Sequence, residues 1–260
     1  MAGHSHWSNI QRKKGKEDHK RGVLFTRAAM QIILAAREGG GDPNHNLALR
    51  IAIDNAKMVN MPKDNIERAI QKGAGTGEGS QLSKALYEGY GPGNVPVIVY
   101  AITDSKNRTV SELRSIFTEF GGAMGEPGSV QWQFTESGLI EVKCAVIKKG
   151  EKFGEPDEEV VKNGEEAMLD LMDVPDIMDI NLDDSETPNI CYVLAPMNQL
   201  AQITQAIKSK GYVVLSSGQH FSANDEMVLD ASKLESFRRF IEKMEEHPDV
   251  QKVWHTANNE

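Results

Sequence analysis

The sequence predicts an α+β protein: an N-terminal helical domain followed by two ferredoxin-like βαββαβ domains, the second inserted in the first. Apolar residues recur at helical spacing in the first 73 residues, for example at Phe25, Ala29, Ile32 and Ala36. After a glycine-rich stretch, short β-branched runs alternate with helical patterns and give four successive βαβ units. Two such units make one ferredoxin-like domain.

Capping residues and glycines set the predicted limits of the helices in the first domain. The side-chain oxygen of a polar residue such as Ser8 can accept hydrogen bonds from the unpaired N–H groups of a first helical turn. A glycine such as Gly15 favours the end of a helix. Residues 73–80 have glycine at alternate positions, which is typical of a flexible linker. The predicted helices run from Ser8 or Asn9 to Gly15, over about 20–38, from Asp42-Pro43-Asn44 onwards, and from Pro62 to Gly73.

The hydrophobic period changes at Val95. Residues 95–103 are apolar and rich in β-branched side chains, as expected of a buried strand. Val130, Trp132 and Phe134 alternate with other residues, which favours a second strand. The remaining predicted strands are 139–147, 176–182, 190–195, 212–216, 226–229 and 250–255, and the predicted helices are 109–120, 158–171, 198–210 and 232–246.

The four βαβ units can pair in tandem or in a nested order. Nesting places the middle two units as an insert between the second and third strands of the outer domain. We favour it because the first and last strands of a ferredoxin-like insert are antiparallel neighbours, so the insert has close ends. The sequence alone leaves both orders open. The nested domains are 1–80 (helices and linker), 81–136 with 221–260 (discontinuous), and 137–220 (inserted).

The charge of the chain is unevenly distributed. Its 260 residues carry a net charge of -9, yet residues 1–80 hold 13 Lys and Arg against 8 Asp and Glu. Residues 81–260 hold 16 basic against 30 acidic residues, and the inserted region 137–220 holds 7 against 15. One end of the chain can therefore approach phosphate while the remainder repels it.

The densest basic segment opens the chain and combines cations with aromatic rings. Lysine and arginine neutralise phosphates, and a tryptophan or histidine ring can stack on a base. The competing interpretation is a solvated tail whose Trp7 packs on the first helix. The candidate nucleic-acid contacts in this part are His4, His6, Trp7, Arg12, Lys13, Lys14, Lys16, Lys20, Arg21 and Arg27.

A second candidate contact lies between a predicted strand and a predicted helix, at residues 103–109. Amides at a helix N-terminus, with Lys106 and Arg108 beside them, could hold a phosphate. The alternative is a solvated loop in which Asp104 or Thr109 caps the helix.

Several other classes of function lack support in the residues. No catalytic constellation or paired carboxylates stand out, so we expect a protein that is not an enzyme and has no cofactor. The acidic stretch near Asp179 departs from the EF-hand pattern, and no metal site is predicted. Cys144 and Cys191 fall in predicted strands and are expected to be buried thiols of a cytoplasmic protein. No apolar run has membrane-spanning length. No apolar seam for a dimer is evident either, so we expect a monomer.

The opening residues 1–11 (MAGHSHWSNIQ) resemble the start of proteins of the YebC family, which includes the mitochondrial translational activator of cytochrome oxidase. Further motifs agree: residues 88–94 (EGYGPGN), 103–109 (TDSKNRT), 120–122 (FGG) and 128–132 (GSVQW). The resemblance implies a three-domain protein, in agreement with nesting. It also implies either a DNA-binding transcriptional regulator or a translation factor that acts on the ribosome at difficult sequences such as proline runs.

Residues and resemblance together leave two functional hypotheses. The first is a translation factor that binds ribosomal or transfer RNA through the basic helical domain. The second is a transcriptional regulator that binds DNA with the same surface. No helix-turn-helix with a basic recognition helix is evident, so binding by charge and shape is easier to derive than sequence-specific reading.

Overall fold

The computed structural model describes residues 4–75, 82–148, 150, 157–185 and 187–258, with only the backbone for residues 4–20. Within them, N-terminal helices precede two antiparallel sheets, which confirms the predicted α+β class. The helices are α1 (His4–Gly39), α2 (Leu47–Met58), α3 (Lys63–Ala74), α4 (Lys106–Glu119), α5 (Gly164–Met172), α6 (Leu200–Ser209) and α7 (Ala231–Glu245). The strands are β1 (Ser83–Gly91), β2 (Val95–Thr103), β3 (Ala123–Met124), β4 (Phe134–Lys148), β5 (Glu158–Val161), β6 (Asp179–Asp183), β7 (Ile190–Ala195), β8 (Tyr212–Ala223) and β9 (Val250–His255).

Helix α1 is continuous through Gly15, so the prediction that one helix ends at Gly15 and another begins near residue 20 was wrong. A glycine inside a helix costs only about 1 kcal/mol relative to alanine. The residues on either side, 11–17, are mostly Gln, Arg, Lys and Glu, which favour helices and outweigh that cost. The helix ends at Gly39, where Gly40 follows with a positive φ of 87°.

Helices α2 and α3 pack against the second half of α1. Asn46 caps α2, since its side-chain oxygen accepts a hydrogen bond from Leu49 N at 3.0 Å. The same side chain donates to the carbonyl oxygens of Ala35 and Gly40, at 2.7 and 2.8 Å. The cap thus ties the start of α2 to the end of α1. The buried core includes Ala28, Ile32, Ile33, Ala36, Leu49, Ile53, Ala56, Ile66 and Ala69.

α3 ends at Ala74, one residue beyond the predicted end at Gly73, so Gly73 lies in its last turn. A Cβ atom at this position would lie 2.4 Å from the carbonyl oxygen of Ile33 and 2.7 Å from the Cβ of Ala36. Glycine is therefore required here by the close approach of α3 to α1, and not by helix termination.

The first sheet has the strand order β3-β1-β2-β9, and each neighbouring pair is antiparallel. Its core joins the buried valines of β2 to aromatic residues of α4 and α7. The rings of Phe117 and Phe240 lie 5.0 Å apart between centroids, and those of Phe237 and Phe240 lie 5.9 Å apart. β1 occupies the place beside β2 that a ferredoxin-like fold gives to its third strand.

Two predicted strands of this domain are wrong, and β1 was missed. Residues 131–133 form a single 3-10 turn. Val130 and Phe134 on either side of it are buried, but Trp132 is 71% exposed, so the three residues do not share one face of a strand. Residues 226–229 contribute only one isolated parallel bridge, between Met227 and Ala257. β1 takes the position in the sheet that was predicted for residues 226–229. Its glycines and charged residues are not typical of a strand, so the sequence did not predict it.

The second sheet has the order β5-β4-β7-β6, and β8 also pairs with β4. Taken without β5, its strands follow the order β8-β4-β7-β6, which is the fourth–first–third–second order of a ferredoxin-like fold. The predicted helix 158–171 was wrong in its first half, which forms β5. Asn163 begins α5 instead, because its side-chain oxygen accepts hydrogen bonds from Glu165 N and Glu166 N, at 2.9 and 3.3 Å.

The chain divides into two compact units, one of residues 1–134 with 223–260 and the other of residues 135–222. Each sheet builds its core from residues of its own unit. In the second unit, Ile140, Val142 and Val193 are fully buried against α5 and α6. Across the described ranges, no helix is long and apolar enough to cross a membrane.

Candidate nucleic-acid interface

The candidate basic contacts at the start of the chain share one helix. α1 has 36 residues and is therefore about 54 Å long. Its described core contacts begin at Phe25, so the basic segment precedes the part of the helix that packs on α2 and α3. The side chains of His4, His6, Trp7, Arg12, Lys13, Lys14, Lys16 and Lys20 lie outside the described part of the structure.

Two further arginines of α1 occupy different environments. Arg21 is exposed. The guanidinium of Arg27 donates to the carbonyl oxygen of Glu245 and, at 3.3 Å, to that of His247. Burial lowers the pKa of Arg27, and the nearby charge of Glu245 opposes this shift. Arg27 thus stabilises the C-terminal end of α7, where the helix dipole favours a cation.

The second candidate group lies at the start of α4. Lys106 is exposed in the first turn. Arg108 forms ion pairs with Asp104 and Asp249, at 3.0 and 2.9 Å. The hydrogen bond from Arg108 to Asp249, and the charge of that carboxylate, raise the arginine pKa. The charge of Arg108 is therefore largely compensated within the protein, whereas Lys106 extends from the helix terminus.

Asp249 is the centre of a buried polar network beneath the start of α4. Its carboxylate accepts hydrogen bonds from Thr109 Oγ1 at 2.8 Å and from Arg108 at 2.9 Å. Burial raises the pKa of Asp249, but hydrogen bonds from Thr109, Arg108 and Thr103 outweigh burial, and the net shift is downward. The backbone joins the network too, because Ile102 N donates to Asp249 O at 2.9 Å.

His247 extends the network outwards. Its Nδ1 accepts a hydrogen bond from Asp249 N at 3.2 Å, so the proton is on Nε2, which lies 2.8 Å from a carboxylate oxygen of Glu112. His247 had no evident partner in the sequence, since Glu112 is 135 residues away.

The network connects the two candidate groups. Gln31 of α1 donates to Gln251 at 3.0 Å, and Gln251 donates to Asp249 O at 3.3 Å. Together with the bonds from Arg27, these contacts link α1 to the first turn of α4, which carries Lys106 and Arg108. No local pattern in the sequence pointed to Asp249, His247 or Gln251 as supporting residues, because each acts through a partner distant in the chain.

The acidic unit contains its own compensated cluster. Both lysines beside Asp170 are ion-paired to it, Lys210 at 2.8 Å and Lys162 at 3.1 Å, and Tyr212 donates to it at 2.8 Å. Hydrogen bonds from Lys210, Tyr212 and Lys162 hold the pKa of Asp170 well below its usual range. These lysines support the fold of this unit and offer little free charge to a phosphate.

Cys144 and Cys191 are buried thiols, as predicted. Their sulfur atoms lie 3.6 Å apart on neighbouring strands. Burial raises the pKa of both, that of Cys191 to about 12. Neither thiol is therefore activated as a nucleophile.

The chain matches two family models over nearly all of its length. Residues 5–76 match the TACO1/YebC protein N-terminal domain, and residues 82–257 match the TACO1/YebC second and third domain. Relatives named probable transcriptional regulatory protein include one from Thermoanaerobacter pseudethanolicus, 38% identical over 100% of this chain and 98% of its own length. Another, from Chloroflexus aurantiacus, is 41% identical over 98% of this chain and 94% of its own length.

A solved structure agrees with these matches. The crystal structure of a conserved hypothetical protein from Aquifex aeolicus superposes with a TM-score of 0.77 at 32% identity, and covers 92% of this chain and 90% of that one. The sequence resemblance noted at the outset is thereby confirmed. The chain belongs to the TACO1/YebC family.

Proposed function

We propose that this protein is a non-enzymatic, cytoplasmic regulator of gene expression that binds RNA on the ribosome and acts as a translation factor. Its relatives' names support a regulator of gene expression. The observation that carries the nucleic-acid part is α1, which presents the basic segment of an acidic protein on one continuous helix. A helix holds its cations at regular spacing, so that they can follow a phosphate backbone. The second half of α1, which packs on α2 and α3, fixes the direction in which the basic half extends.

The distribution of charge along the chain favours nucleic-acid contact through the helical domain. Residues 135–222 form a compact acidic unit that phosphate would repel, so the helical domain is the surface that can approach RNA. Lys106, exposed at the start of α4, adds a second contact within the same unit as α1. The ribosomal role, with relief of stalling at sequences such as proline runs, extends this proposal by family resemblance. In this proposal the protein acts as a monomer.

Replacement of Arg12, Lys13, Lys14 and Lys16 by glutamine tests the basic segment. Each phosphate that the variant no longer neutralises should reduce the log–log salt slope by ~0.9 on duplex DNA, and by ~0.7 on a single strand. The matched control removes the same charge from α2 and α3, by K57Q/K63Q/R68Q/K72Q, where all four residues are exposed. The proposal requires the first variant, and not the control, to flatten the slope in binding titrations.

Binding of DNA is the second candidate, because the relatives are named transcriptional regulators. Crosslinking in cells, followed by sequencing of both RNA and DNA, separates the two. Dominant ribosomal or transfer RNA supports the translation factor. Discrete promoter peaks without ribosomal RNA enrichment would replace it with the transcriptional role.

A further inference from the structure

Trp132 is a large aromatic side chain that the fold leaves on its surface. Its side chain is 71% exposed, although its neighbours Val130 and Phe134 are buried. The indole N–H donates to Ser129 O at 3.1 Å, and Asn224 Nδ2 donates to Trp132 O at 3.2 Å. The polar atom of the ring is thus already satisfied, while most of its apolar surface remains in water.

A buried carboxylate holds the loop that carries this tryptophan. Glu88 is 5% exposed and accepts hydrogen bonds from the backbone N–H groups of Gly128, Val130 and Gln131, at 2.6, 2.8 and 2.9 Å. Gly125 N also donates to Glu88 O at 2.9 Å. The loop is therefore ordered before any partner arrives, which lowers the entropic cost of binding.

The two loops that meet at Trp132 are acidic. Residues 125–133 carry one charged side chain, Glu126, and residues 224–229 carry Asp225 and Glu226. The loops are joined by a hydrogen bond from Asn224 N to Gln133 O at 2.9 Å. Val228 is 81% exposed and adds apolar surface on the second loop. Neither segment contains a lysine or an arginine.

We propose that the Trp132 surface, formed by residues 125–133 and 224–228, binds an arginine-containing basic segment of a protein partner. A guanidinium stacks on the tryptophan ring, which is the aromatic side chain that attracts cations best. Glu126, Asp225 and Glu226 supply complementary charge. The same carboxylates would repel the phosphates of a nucleic acid, so base stacking is disfavoured here. The inference is independent of RNA binding by the basic helix.

The test uses the full chain labelled with 5-fluorotryptophan, in which Trp132→Phe assigns the Trp132 fluorine signal. The probes are an alternating glycine–arginine octapeptide, the glycine–lysine octapeptide and octauridylate. We expect the arginine peptide to shift the Trp132 signal and the lysine peptide to bind more weakly. Octauridylate should leave this signal unchanged, even where it binds the basic helix.

Variants then locate the binding energy by calorimetry with the arginine peptide. Trp132→Ala and the triple variant E126Q/D225N/E226Q should each weaken binding about threefold or more, and Trp132→Phe should fall between the wild type and Trp132→Ala. The control Met58→Ala, at an exposed apolar side chain of α2, should bind as the wild type does. An unmoved Trp132 signal with the arginine peptide, a shift caused by octauridylate instead, or unchanged affinity in both variants would overturn the proposal.

Discussion

Asp249 decides which cations of the candidate interface remain available to a ligand. The residue is 1% exposed, and it neutralises Arg108 from a position 141 residues further along the chain. Arg27 is similarly committed to the end of α7. From sequence alone both arginines counted as candidate contacts, because a cation's partner cannot be identified when it is distant in the chain. The exposed Arg21 and Lys106 are the candidates that the described side chains leave accessible.

Replacement of Asp249 by asparagine should destabilise the protein by about 1–3 kcal/mol, since a buried network loses its charged acceptor. The folded state lowers the pKa of Asp249, so its stabilisation is present above the unfolded pKa of about 4. It is lost as the pH falls through the folded pKa. Urea unfolding measured between pH 7 and pH 3 should therefore show that the free energy of unfolding falls less in Asp249→Asn than in the wild type. Equal pH dependence of both proteins would contradict this role.

The loop under Trp132 gives a second prediction for a single residue. Glu88→Gln keeps the shape of the side chain but replaces one acceptor oxygen by a donor that faces backbone N–H groups. We expect a loss of about 1–3 kcal/mol. Amide exchange should accelerate at Gly128, Val130 and Gln131 while the helical core keeps its protection. The control Glu126→Gln, on the exposed outer side of the same turn, should change little.

Among the secondary-structure elements, those with a strong local pattern were predicted well and those defined by their neighbours were not. β7 and β9 match the predicted 190–195 and 250–255, because alternation and β-branching agree there. β1 has a weak pattern and is a strand because it pairs with β2 over nine residues. The alternation at Val130–Phe134 was misleading, since the backbone turns before Trp132 can enter the core.

The continuity of α1 gives a prediction at the scale of the helix. Gly15→Ala should raise stability by about 0.5–1 kcal/mol, because alanine loses less backbone entropy in a helix. Gly15→Pro should break the helix, at a cost of about 3 kcal/mol, and keep every basic residue. Circular dichroism and RNA titrations compare the two variants. If a continuous helix spaces the cations, Gly15→Pro binds more weakly than Gly15→Ala; equal affinities would show that charge alone suffices.

For the whole molecule, we propose that the inserted unit and its host are independent folding domains. Asn224 N donates to Gln133 O at 2.9 Å, so the chain leaves and re-enters the host at neighbouring points. Replacement of residues 135–222 by a short Asn-Gly turn should leave a host that folds cooperatively, because its sheet and core lie outside the excised segment. The excised piece should also melt cooperatively. Molten products from both proteins would refute the independence of the two domains. The sequence could not distinguish nested from tandem domains, because both orders have the same succession of strands and helices.

The adjacency of Gln133 and Asn224 also determines the order in which the protein can be completed as it is made. β2 emerges early, but its partner β9 lies at the far end of the chain. At about 5–20 residues per second, the edge of β2 that pairs with β9 stays unpaired for roughly seven to thirty seconds. The inserted unit can close during this interval. Its closure brings the two crossing points together and places α7 and β9 close to β2. Of the two domains that contain sheets, the one begun first is therefore finished last.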